Sequence, residues 1–121
     1  MAFYLRGIHT PHRKNTIKQP TARMAAPNFV TIPMAMHIGK PAVPTVKVGD
    51  QVCVGTKIAE ADGKISSPIY SSVSGKVSKL TEFVQFNGSA TTAVVIESDG
   101  EMTADPSICP PTVTNREELI A

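Results

Sequence analysis

The chain has 121 residues, a formal net charge of +2, ten prolines, eight glycines, no tryptophan and 5% aromatic residues. That length suits one globular core, since single cores are self-sufficient at roughly 50 to 200 residues, and a turn-rich, aliphatic composition favours short strands over long helices. The longest apolar runs fall far short of the roughly 20 residues that span a bilayer, and Met1 to Gly7 lacks the apolar segment of a secretory signal, so the expectation is a soluble, cytoplasm-facing chain.

From Met1 to Pro27 no period of 2 or 3.6 persists, and Pro11, Pro20 and Pro27 interrupt any helix or ladder. The first acidic residue is Asp50, and Arg6, Arg13, Lys14, Lys18, Arg23, Lys40 and Lys47 all precede it. Residues 1–27 therefore read as an extended basic arm, with Ile8 and Ile17 as its expected anchors. From Asn28 the character changes. Phe29, Val30 and Ile32 open a β-rich stretch in which Pro33, Pro41 and Pro44 confine the segments to edges or bends.

The run Val46 to Gly55 alternates apolar and polar residues around Gly49-Asp50, the clearest turn in the chain. A second alternation, Ile69 to Leu80, has Gly75 at its centre, and a third apolar stretch, Ala93 to Ile96, lies between Asn87-Gly88 and Asp99-Gly100. These boundaries predict an all-β domain over residues 28–100, with Gly49, Asp50, Gly63 and Gly75 as its structural turns. Past Gly100 the chain is polar until Thr114-Asn115-Arg116-Glu117, which has the form of a capping box. Residues 101–121 read as a linker and the start of a helix that the end of the chain truncates, since isolated helices below roughly 12 to 15 residues are marginal. Cys53 and Cys109 match neither a disulfide framework nor a Cys-x-x-Cys metal spacing and read as unlinked thiols.

With the turns placed, the motifs Val46-Lys47-Val48-Gly49-Asp50-Gln51-Val52, Gly55-Thr56-Lys57-Ile58 and Ser72-Val73-Ser74-Gly75-Lys76-Val77 resemble the barrel-sandwich hybrid of biotinyl and lipoyl domains. Gly7-Ile8-His9, His37-Ile38-Gly39-Lys40-Pro41-Ala42, Glu60-Ala61-Asp62-Gly63 and Ser67-Pro68-Ile69 narrow the resemblance to one branch. That branch is the N-terminal domain of the C subunit of the Rnf electron-transport complex, shared with related flavin and iron-sulfur proteins such as cobalamin reductase. The similarity covers roughly residues 5 to 121. It implies an ion-translocating, membrane-associated complex that moves electrons between ferredoxin and NAD, with FMN and 4Fe-4S clusters carried by the full-length family member. No cluster motif occurs here, because a cluster needs four cysteines and the chain has two. The expectation is a non-catalytic structural and interaction domain with no catalytic, cofactor-binding or metal residue of its own. Its partners would be the remaining domains of the parent subunit and the other subunits of the complex. It would touch the inner membrane only indirectly, from the cytoplasmic side.

Three groups of residues carry alternatives. Lys64 lies eleven residues before Gly75, a separation resembling that between the modified lysine and the final hairpin glycine of biotin and lipoyl carriers, and Asp62-Gly63-Lys64 could form the exposed tip a carrier needs. Its neighbours Gly63 and Ile65 depart from the carrier pattern, so an ordinary turn lysine is the plainer reading. His9, His12 and His37 could form a three-histidine metal site, though Pro11 prevents helical pairing of the first two. Glu60 and Asp62 could act as an acid-base pair, but they read as solvated carboxylates bracketing a turn. The basic arm could bind nucleic acid, anionic lipid or an acidic protein face; it has no aromatic platform beyond Phe3 and Tyr4, which argues against nucleic acid, and the expected use is docking on the parent protein or a neighbouring subunit.

Overall fold

The computed structural model describes Gly7 and residues 11–109. Its seven strands are β1 (Phe29–Pro33), β2 (Val43–Pro44), β3 (Gln51–Val52), β4 (Lys57–Glu60), β5 (Ile69–Tyr70), β6 (Gly75–Val84) and β7 (Ala90–Ser98). Among the described residues there is no helix, as the all-β expectation requires. One sheet has the strand order β1-β7-β6-β3 and the other β2-β4-β5, with every pair antiparallel.

The β-branched residues that alternate along the chain face a shared core. Ile32, Val52, Val77, Val94 and Ile96 come from the larger sheet, and Ile58, Ala59 and Ile69 from the smaller. Burying each Val or Ile contributes about 1.5 to 3 kcal/mol, which offsets the cost of ordering strands as short as two residues. Met34 joins the two layers: its N–H donates to the Thr92 carbonyl of β7 (2.8 Å), and its own carbonyl accepts from Ala42 N–H (2.9 Å), which leads into β2. A register shift between Val77 and Lys79 bends β6. Beyond it Leu80, Phe83 and Val84 stand largely exposed on a hairpin projecting from the barrel.

Gly49 and Asp50 lie in a tight turn. Asp50 N–H donates to the Lys47 carbonyl (3.1 Å), Lys47 N–H donates to the Asp50 carboxylate (2.8 Å), and Gly49 has φ +99°. The strand that follows it, β3, pairs with β6 and not with residues 46–48. Gly75, expected in a turn, instead opens β6, where it pairs with Val52 on one side and Ser98 on the other. Its φ is +150°, and a Cβ there would collide with the Glu97 carbonyl.

The hydrogen bonding runs on past Gly100, where a linker was expected. Val54 N–H donates to the Thr103 carbonyl (2.8 Å) and Asp105 N–H to the Val54 carbonyl (2.9 Å), laying the tail parallel to Val54. Ser74 Oγ, almost fully buried, donates to Asp99 (2.6 Å) and accepts from Thr103 N–H (3.0 Å), while Thr56 Oγ1 donates to Asp105 (2.6 Å). The Ser74 hydroxyl and the Glu101 N–H hold the Asp99 carboxyl below its ordinary value, and Ser107 and Thr56 do the same for Asp105. Residues 114–117, the expected capping box, lie outside the described residues.

The described part of the arm keeps its exposure. Residues 11–26 are exposed, and Ile17, expected to anchor them, is 74% exposed in a turn. Only the segment from Arg23 to Pro27 lies along the barrel, forming one wall of a groove opposite Val30, Ser72, Val73 and Met102. Ile8 lies outside the described residues.

Two outcomes test this account. Gly49→Ala should cost about 1 to 2 kcal/mol, the penalty of a left-handed backbone alone, because the nearest heavy atom to its Cβ is the flexible Lys76 Cε at 3.9 Å. Gly75→Ala adds a displacement of backbone and should cost clearly more; equal shifts of the two urea midpoints would refute the role given to the Glu97 carbonyl. The second outcome concerns acid. Both carboxyls have folded-state values lowered from 3.8, so their stabilisation is present above that value and is lost as pH falls through the lowered ones. A chain carrying Asp99→Asn and Asp105→Asn should therefore be less stable than the parent above pH 3.8 and converge on it below; parallel curves of stability against pH would exclude the tail contacts.

Candidate functional site

The loop from Ala61 to Pro68 joins β4 to β5 and carries Lys64 at its exposed tip, where a carrier lysine would have to stand. Gly63 supplies the turn with φ +104°. This loop is tied to the segment between β1 and β2. Lys40 N–H donates to the Ile65 carbonyl (2.9 Å), Ser66 Oγ donates to the Lys40 carbonyl (2.9 Å), and Lys40 Nζ pairs with Asp62 (2.7 Å). Gly39, with φ +107°, lies so close beneath that a Cβ would strike the Ile65 carbonyl. The sequence motifs His37 to Ala42 and Glu60 to Ile69 are thus two halves of one crossing. Their spacing in the chain gave no sign of it.

The expected acid-base pair is not assembled as a pair. Glu60 binds Lys57 (2.6 Å) on β4, which raises the lysine's pKa through their hydrogen bond and charge, while Asp62 binds Lys40. His37 spends both ring nitrogens locally. Its Nε2 accepts from Ser67 N–H (3.3 Å), and its Nδ1 lies 3.3 Å from the Ile38 carbonyl, which fits the tautomer protonated at Nδ1. His12 is exposed on the arm, and His9 lies outside the described residues. Among the described residues no group of three or more His, Cys, Asp or Glu could hold a metal ion. Cys53 and Cys109 are free thiols, the first half-buried and the second exposed.

At this end of the molecule the hairpin tip adds an apolar rim. Gln85 Nε2 donates to the Ala35 carbonyl (2.5 Å), which holds the β6–β7 tip against the segment before the crossing. The groove between them is lined by Met36, Ile38, Pro41 and Phe86, and the Phe86 side chain is fully exposed. Sequence reasoning passed over Phe86 because it follows the last strand residue, in a position that reads as turn. It also missed the pairing of Thr56 with Asp105, although Asp105-Pro106-Ser107 carries a local turn signal: Asp105 accepts from Ser107 N–H (2.9 Å).

Comparison with known proteins bears on nearly the whole of this structure. A model of the RnfC barrel sandwich hybrid domain matches residues 3–101. The chain is 47% identical over 105 residues to the C subunit of the Na(+)-translocating ferredoxin:NAD(+) oxidoreductase complex of Acetobacterium woodii, covering 86% of this chain and 24% of that protein. It is 38% identical over 96 residues to the C subunit of the proton-translocating ferredoxin:NAD(+) oxidoreductase complex of Clostridium ljungdahlii, covering 78% of this chain and 21% of that one. With the C subunit of the ion-translocating oxidoreductase complex of Rhodobacter capsulatus the identity is 35% over 98 residues, covering 78% and 19%. The chain therefore spans about a quarter or less of the curated relatives it matches. Two packed β sheets, a match running from the arm to the strand-closing turn at Gly100, and three relatives of the same kind above 30% identity place this chain in the family of RnfC barrel-sandwich hybrid domains.

Proposed function

We propose that this chain is the non-catalytic structural and interaction domain of an Rnf-type C subunit, working in ferredoxin:NAD electron transport from the cytoplasmic side of the inner membrane. The observation that carries the reading is the 47% identity to such a protein over 86% of the chain. The disposition of the polar groups supports a scaffold: Glu60, Asp62, Asp99, Asp105 and His37 are each bonded within the domain. In this reading FMN and 4Fe-4S clusters belong to parts of the full-length family member outside this chain, and the domain's partners are those parts and the neighbouring subunits.

One observation favours a second reading. Lys64 is exposed at a hairpin-loop tip, the position a biotin or lipoyl carrier uses. Against it, the neighbours Gly63 and Ile65 depart from the pattern that such carriers place around the lysine, and an exposed lysine at a tip is what any turn lysine offers.

Two measurements decide. The purified chain should be colourless and should not oxidise NADH; stoichiometric flavin or iron bound to it would move the redox chemistry into this domain. Coexpression with biotin and lipoyl ligases should leave its intact mass unchanged, and an added mass of either cofactor that disappears in Lys64→Arg would establish the carrier reading in its place.

A further inference from the structure

Some charged side chains of the barrel pair with one another, and none of the arm's described ones does. Arg13, Lys14, Lys18 and Arg23 are exposed, and the ion pairs among the described residues are Lys40 with Asp62 and Lys57 with Glu60. No carboxylate occurs before Asp50, while residues 28–109 hold more carboxylates than lysines. The described part of the arm nonetheless makes no ion pair with them. Ile17 N–H donates to the Lys14 carbonyl (3.2 Å) and Gln19 N–H to the Thr16 carbonyl (3.0 Å). These two turns present Ile17, 74% exposed, between Lys14 and Lys18, and Met24, 81% exposed, follows directly on Arg23.

We propose that residues 11–26 are a peripheral docking segment for an anionic lipid surface. Arg13, Lys14, Lys18 and Arg23 meet the headgroup phosphates, and Ile17 and Met24 enter the boundary between headgroups and acyl chains. Membrane contact would then be direct, beyond the indirect contact expected from the complex alone. Interfacial binding grows with the apolar area inserted and with attraction to anionic lipid, and the arm carries groups of both kinds. Each Lys or Arg near an anionic leaflet contributes about 1 kcal/mol, or roughly fivefold in partitioning. An acidic protein face fits less well, because the described segment is broken by Pro11 and Pro20 and has no ladder or helix to fix a shape complementary to it. A fluid layer of phosphates needs only the charge. The acidic excess of the barrel is repelled by the same surface, so the arm lies between the membrane and the barrel.

The test is sedimentation of the 121-residue chain with vesicles of phosphatidylcholine alone or with about 30% phosphatidylglycerol, a composition that makes the surface anionic. Binding is expected only to the anionic vesicles and should fade as salt rises from about 0.1 to 1 M and the Debye length shrinks from about 10 to 3 Å. Replacing Arg13, Lys14, Lys18 and Arg23 with Gln should weaken binding by roughly two to three orders of magnitude, with an unchanged thermal melt because these side chains are exposed. Ile17→Ser should weaken binding without altering its salt dependence. Lys76→Gln with Lys79→Gln, which removes charge from the barrel, should leave binding as it was. Absence of binding to the anionic vesicles, equal binding to both vesicle types, or full binding by the arm variant would overturn the proposal. The first of these would point to an acidic protein face; none of them touches the assignment to the RnfC family.

Discussion

The fold depends on one close approach of backbone to backbone, between Gly75 and the carbonyl of Glu97. Gly75 is the point at which β6 is flanked on both sides, by Val52 of β3 and Ser98 of β7. Its φ of +150° is open to glycine, and the space a Cβ would take is filled by the Glu97 carbonyl. Because β6 can start this tightly against β7, the neighbours of Gly75 are placed without slack: Ser74 beside Asp99, and the two linked again by the bond from Asp99 N–H to the Ser74 carbonyl (3.1 Å). The tail then runs past Val54 and reaches Thr56.

What the sequence disclosed was local. The turn at Gly49, the loop at Gly63 and the apolar run through Val94 and Ile96 each rest on residues within a few positions of one another. The pairing partners were not local. Val46 to Gly55 looks like a hairpin about Gly49, yet β3 finds its partner in β6, and the alternation gives no means of choosing between them. Gly75 looked like a turn because a glycine interrupting an alternating pattern signals a bend, a bulge or a close approach alike, and the third of these is what the structure holds.

The same limit separates the two halves of the loop crossing. Lys40 and Asp62 are both readable as surface charges, and only the fold brings them to 2.7 Å. Thr56 and Asp105 stand 49 positions apart, so no window of sequence contains both. The arm was the reverse case. Its proline breaks and one-signed charge were legible at once, but Ile17 was mistaken for an anchor, since apolar character gives a reason to be buried and says nothing of whether a surface within reach remains unoccupied.

The direction in which the carboxyls are perturbed bears on what kind of work this domain can do. A carboxyl acting as a general acid near neutrality must hold its proton, which takes burial in apolar surroundings or a like charge close by, and both raise its value. Asp99 and Asp105 are moved the other way, by hydroxyl and backbone donors that favour the charged form. Such a group is a fixed acceptor, useful for fastening one segment to another. Both carboxyls fasten the tail onto the barrel, Asp99 at Ser74 and Asp105 at Thr56.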